Sequence, residues 1–223
     1  MDQRATARQL ARTALEQGRP LAWFEELYRQ NLDQGVPIPW ADLQANPNLV
    51  ELFEKLSHLH FGRRAISIGC GLGDDAHWLT EQGFDVTAFD ISPTAIDECR
   101  RRFGSSPIKF VAANLLDDHA EWRHAFDLVQ ESYTLQVLPT ALRRSAMSRI
   151  AEYVAPGGYL LLIARAREPG ESEGNMPWPL TRAEVNEFQN EGLTEVYFED
   201  YLDRESPPVR RFRACYQRGM SAR

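Results

Sequence analysis

Residues 65–76 read AISIGCGLGDDA: a short apolar run breaks into glycine at Gly69, Gly71 and Gly73, and two acids follow. Such a run ending in glycines is what a buried strand entering a tight turn requires. In an open α/β sheet, ligands lie beyond the carboxyl ends of the strands, where the first strand-to-helix turn exposes backbone. Glycine there permits positive φ and keeps a Cβ out of the ligand's way.

The spacing separates two kinds of ligand. A dinucleotide turn reads G-x-G-x-x-G, with pyrophosphate on the following helix N-terminus. Here Asp74 stands at the position of the last glycine, with Asp75 after it. Two acids at a helix start repel a pyrophosphate, but not a zwitterion that carries a positive sulfonium.

Outward from this turn, strand and helix patterns alternate, the mark of a parallel sheet covered on both faces. AISIG, DVTAFD, IKFVAA, FDLVQ and GYLLLIA are the strands, separated by DDAHWLTEQG, SPTAIDECRRRF, a short segment around DHAEWRHA, and TALRRSAMSRIAEYV, which runs into an APGG stop and turn. Two extended runs, EVYFEDYLD and RRFRACY, close the chain with only RESPP between them, too short for a crossover helix, so they pair antiparallel. The expected fold is a Rossmann-like, doubly wound α/β sheet of seven strands: five parallel, plus a C-terminal antiparallel hairpin. Ahead of it, residues 1–62 read as a helical lid or extension with helix ends at Gly18 and Gly35, and a third helix capped by Asn46 before Pro47. Residues 63–223 form the ligand-binding domain.

The second strand ends in Asp90, about twenty residues past the glycines, where a carboxylate can accept both hydroxyls of a ribose. With that acid in place, AISIGCGLG, VTAFDIS, VAANLLD, FDLVQESYTLQVLP and YVAPGGYLLLIA resemble, in order, the motifs of class I S-adenosylmethionine-dependent methyltransferases. The likeness runs from about residue 63 to 165. WFEELYRQNLDQGVPIPWA and MPWPLTRAEV resemble more loosely the small-molecule branch around thiopurine S-methyltransferase.

The resemblance implies S-adenosyl-L-methionine as cofactor and a set of residues around it. Gly69, Cys70, Gly71 and Gly73 would form the turn at its amino-acid part, Asp90 would hold the ribose, and Ile91 would pack on the adenine. Asn114 and Leu115 would sit at the adenine, and Gln130 and Glu131 near the methionine moiety. Ser67 replaces an acid that the family commonly has in the first strand for the cofactor's ammonium; Asp74, Asp75 or Glu131 would substitute for it.

For the acceptor, Trp40 and Tyr133 are the substrate-side candidates, able to face a sulfonium and exclude water, with Arg165 and Trp178 at the same mouth. None of the five histidines stands in a His–Asp pattern, so each reads as a surface or packing residue and no catalytic residue is assigned. Without an evident base, a thiol or other soft nucleophile is the expected acceptor; O- or N-methylation of a small metabolite, or cofactor binding without catalysis, are the alternatives.

Composition bounds the rest. A net charge of −7 at pH 7 offers no basic field for nucleic acid. After the fourth strand QESY stands where adenine N6-methyltransferases have a DPPY-like tetrapeptide, and there is no Pro-Cys nucleophile of the C5-cytosine type. The arginine groups 100–102 and 210–213 read as solvated faces. Three cysteines without a C-x-x-C pair argue for a reducing compartment and against a zinc site. The N-terminus has no apolar leader and no run spans a bilayer, so a cytoplasmic monomer without membrane or metal is expected.

Overall fold

A computed structural model describes residues 4–220. Three helices come first: α1 (Ala5–Glu16), α2 (Ala22–Gln34) and α3 (Pro47–Lys55). Then β1 (Arg64–Ile68), α4 (Asp74–Glu81), β2 (Asp85–Asp90), α5 (Pro93–Arg102), β3 (Lys109–Ala112), β4 (Phe126–Ser132), α6 (Thr140–Tyr153) and β5 (Val154–Arg165) follow. The chain closes with α7 (Arg182–Asn190), β6 (Leu193–Leu202) and β7 (Arg210–Arg218). One seven-stranded sheet results, in the order β3-β2-β1-β4-β5-β7-β6, with the first five strands parallel and β7 antiparallel to both neighbours. The expected fold is the observed one.

Side-chain alternation divides each central strand between two cores. Ile66, Ile68, Val129, Leu160 and Leu162 face Met147 and Ile150 of α6 and Phe188 of α7. Ala65, Leu128, Leu161 and Ile163 face Leu79 of α4, Ile96 of α5, and Leu49 and Leu52 of α3. α3 therefore belongs to the sheet's own covering layer, while α1 and α2 pack through Ala7, Ala11, Trp23 and Leu27.

β1 pairs with β2 on one side and β4 on the other, so the order reverses there and the crevice opens at their carboxyl ends. The APGG segment does not interrupt the chain as a separate turn. It lies inside β5 as a bulge, the register jumping from Phe126↔Val154 to Leu128↔Tyr159. The third crossover carries only a 3-10 turn at Ala120–Trp122. No helix among the described residues is long and apolar enough to cross a membrane.

Only part of the arginine reading holds. Arg100 and Arg101 are solvated and pair with Asp97 and Glu98 one turn back. Arg102 instead folds against α4, its guanidinium bidentate on Asp74 at 2.6 and 3.0 Å. Arg211 and Arg213 are each 2% exposed. Carboxylates from neighbouring elements meet them, Asp203 and Glu205 at Arg211, Glu51 and Glu199 at Arg213, which makes burial of the charge tolerable.

Candidate active site

A cavity of about 1080 Å³ opens beyond the carboxyl ends of β1, β2, β4 and β5, roofed by α1, α2 and the segment leading into α3. The glycine turn forms its floor. Gly69 and Gly71 have φ of +56° and +55°. A Cβ on Gly69 would collide with Thr134 Oγ1, and one on Gly71 would come within 3.1 Å of the Tyr28 hydroxyl. Gly69, Cys70 and Gly71 line the cavity. Gly73 does not: its φ is +86°, and a Cβ there would press Cys99, Phe103 and Phe110 at 3.1–3.2 Å. Its role is the seating of α4 against α5.

Asp90 ends β2 with its carboxylate at the cavity wall. Its two oxygens accept one backbone N–H each, from Gly71 at 3.0 Å and Ser92 at 2.9 Å, leaving lone pairs for further donors. Burial pushes the acid up to about 6. Next to it, the Ser92 hydroxyl caps α5 by accepting the Ala95 N–H and donates to Glu25 of α2 at 2.6 Å. The lid is thus tied to the turn that aims Asp90. Ile91, Asn114 and Leu115 also line the cavity. The Asn114 amide is engaged in its own loop, accepting the Leu116 N–H and donating to Asp117.

The acids expected to stand in for a first-strand carboxylate separate clearly. Asp74 is matched by Arg102, which also removes much of its repulsion toward a pyrophosphate. Glu131 points to the opposite core: it is fully buried, accepts the Thr134 and Leu135 N–H groups, and rises to about 7 through burial. Gln130 lies beneath the floor, bonded to Ser67 at 2.6 Å and to Asp75 at 3.1 Å. Neither Gln130 nor Glu131 lines the cavity; Ser132, Tyr133 and Thr134, the next three residues, do. Strand alternation sends residues 130 and 131 into the two cores, and only past the strand end does the chain meet the crevice. Asp75 is the acid that remains, lining the cavity and pushed up to about 6 by burial.

The two aromatics proposed for the acceptor both line the cavity. Trp40 donates its indole N–H to Tyr28 at 3.0 Å and packs edge-on against Trp23 and Tyr28, so it walls the cavity and anchors the lid at once. Tyr133 has φ +69°, a left-handed conformation that L-residues rarely adopt outside special sites. Its hydroxyl takes a bond from Asn48 at 3.0 Å. Arg165 lines the cavity, Trp178 does not, and no histidine lines it. Tyr28, Asn48, Tyr201, Arg211 and Arg213 also line the cavity and carried no motif signal. Among the described residues, no cluster of three or more potential ligands could hold a metal.

Residues 65–158 match the family described as "Methyltransferase domain". The sheet order is that of the Rossmann-like methyltransferase fold. The chain is 32% identical over 124 residues to the carboxy-S-adenosyl-L-methionine synthase of Chromohalobacter salexigens, covering 52% of this chain and 45% of that relative's length. A solved structure concerned with the conversion of a disulfide bond into a thioacetal group during echinomycin biosynthesis superposes with a TM-score of 0.73 at 22% identity, covering 91% of this chain and 93% of that one. The N-methyltransferase NodS of Bradyrhizobium japonicum WM9, in complex with S-adenosyl-L-homocysteine, gives a TM-score of 0.67 at 21% identity over 87% of this chain and 97% of that one.

Proposed function

We propose that the chain is an S-adenosylmethionine-dependent methyltransferase of a small molecule, with a thiol or other soft nucleophile as acceptor. One observation carries the reading: a positive-φ glycine turn and the buried Asp90 meet in one cavity at the sheet's switch point, where Gly71 leaves space that a Cβ would fill. The residues present suit the cofactor. Asp90 retains acceptor capacity for ribose hydroxyls, Ile91 and Leu115 offer apolar surface for adenine, and Asp75 faces the floor where an ammonium needs an anion. Bound there, the cofactor supplies an electrophilic methyl on a sulfonium.

The protein's part is positioning. Holding acceptor and methyl in line supplies much of the acceleration for such a displacement. Trp40 and Tyr133 wall the reacting region, and α1, α2 and the segment leading into α3 act as its lid. Sulfur is favoured because no imidazole lines the cavity, so an acceptor that arrives ionised has the advantage. The loose likeness to the thiopurine S-methyltransferase branch points the same way. A second reading, O- or N-methylation, needs a general base, a role Asp75 could fill at the cavity only with the cofactor's ammonium held elsewhere.

Two thiols of different acidity separate the readings. With ionised acceptors, kcat/KM follows each thiol's own titration and levels off above its pKa. An inflection fixed near pH 6 for both thiols, or equal turnover of matched hydroxyl acceptors, contradicts the sulfur preference.

A further inference from the structure

We propose that the methyl acceptor carries a carboxylate that pairs with the guanidinium of Arg165. The claim rests on the methyltransferase reading for the word acceptor, but its physical basis is separate. Arg165 ends β5 and stands directly opposite Arg211 of β7 in the antiparallel register. Like charges facing each other across two strands are destabilising unless something compensates them.

Compensation is present on one side only. Arg211 is bonded to Asp203 and to Glu205, and its guanidinium lies over the Tyr133 ring at 4.8 Å. Arg213, further into the same region, is held by Glu51 at 3.1 Å and Glu199 at 3.3 Å. The carboxylates of this half are therefore committed to those two arginines. The Arg165 side chain makes no hydrogen bond or ion pair with a described residue, although it is half-buried and lines the cavity. Burial and the fields of Arg4 and Arg211 hold it below its ordinary value, with Glu205 and Tyr133 opposing less strongly. One cavity-lining guanidinium is thus left without a hydrogen-bond or ion-pair partner among the described residues.

Its place fits an acceptor group rather than the cofactor's ribose end. The Tyr133 N–H donates to Ile163 O at 3.0 Å, two residues before Arg165 on β5. Arg165 itself is fixed by its backbone N–H, which donates to Gln136 Oε1 at 2.7 Å. A single free planar fork matches a carboxylate in a bidentate pair. A phosphomonoester, with two charges, would need a second cation, and Arg211 and Arg213 are each already ion-paired with two carboxylates.

The test uses two shape-matched pairs: phenylacetate with phenylacetamide, and 3-mercaptopropionate with 3-mercaptopropionamide. Each is titrated against protein saturated with S-adenosylhomocysteine, read as the concentration giving half the maximal rise in melting temperature. In at least one pair the acid should act at a concentration about tenfold lower than its amide. Arg165→Met should abolish that preference while keeping the response to S-adenosylhomocysteine, and Arg165→Lys should restore part of it. Equal action of acid and amide in both pairs overturns the proposal, as does a preference that survives in Arg165→Met. Repeating the titrations without S-adenosylhomocysteine keeps the two claims apart. No response to S-adenosylhomocysteine, with an Arg165-dependent acid preference intact, would sink the cofactor assignment and leave the anion subsite standing.

Discussion

The Asp75 carboxylate accepts the backbone N–H of Asn46 at 2.7 Å, joining the first turn of α4 to the cap of α3. Its other oxygen accepts from the Gln130 amide, which in turn accepts from the Ser67 hydroxyl. The place a first-strand acid would occupy is thus filled by a hydroxyl and an amide that orient an acid one helix further on. Asp75→Asn removes the charge while leaving an oxygen for the Asn46 N–H. Affinity for S-adenosylhomocysteine should fall about tenfold or more, as for loss of a charge-assisted bond. Unchanged affinity by calorimetry would exclude Asp75 as the ammonium partner.

The same burial predicts a pH dependence. Asp75 and Asp90 are pushed up to about 6, and Glu131 to about 7, from ordinary carboxylate values near 4. These three acids keep protons in the folded protein that the unfolded chain has lost, so their contribution to the stability of the unliganded protein falls as pH rises from about 5 to 7. That window lies above the range where carboxylates held below their ordinary values, such as Asp127, Glu184 and Asp203, act in the opposite sense. The ligand's ammonium and hydroxyls favour the ionised acids at Asp75 and Asp90. Binding should therefore expel protons below pH ~7 and strengthen with rising pH to a plateau. Calorimetry in buffers of different ionisation enthalpy measures the release; none at pH 6 would contradict the assignment.

Two glycines of one turn should behave differently. Gly73→Ala forces three side chains apart at a positive φ, at a cost of about 1–3 kcal/mol read as a lower urea midpoint. It should scarcely alter affinity in protein that still folds, because Gly73 is outside the cavity lining. Gly71→Ala places its methyl toward Tyr28 inside the cavity and should weaken S-adenosylhomocysteine binding. Equal effects on binding from both substitutions would show that the turn does not touch the ligand as described.

Asp90→Asn tests the ribose role with the two backbone N–H partners still partly served. Binding of S-adenosylhomocysteine should weaken by about tenfold. NADH should stabilise neither protein, and an NADH-dependent rise in melting temperature would return the site to a dinucleotide.

Much of this was legible because local chemistry and global fold agree. Strand lengths, alternation and the short gap before the final run dictated the sheet, and glycine spacing with Asp90 located its working edge. Side-chain direction was harder. Gln130 and Glu131 stand beside the crevice in sequence, yet the period of two turns them into opposite cores, whereas Asp75 reaches the cavity through a helix turn. The buried arginines were invisible for a related reason: Arg211 and Arg213 find their carboxylates on β6, its following loop and α3, which only the folded hairpin and its packing on α3 bring together. An arginine run reads as solvated until such partners are known.

Methyl transfer itself is tested most directly by incubating the protein with trideuteromethyl-labelled S-adenosylmethionine and a small-molecule extract, followed by mass spectrometry. The account predicts that at least one compound gains a trideuteromethyl group in proportion to protein, with S-adenosylhomocysteine formed in equal amount, and that Asp90→Asn reduces both. Protein that binds the cofactor but labels no compound at any pH from 6 to 9 would contradict it, and would favour a cofactor-binding protein without catalysis.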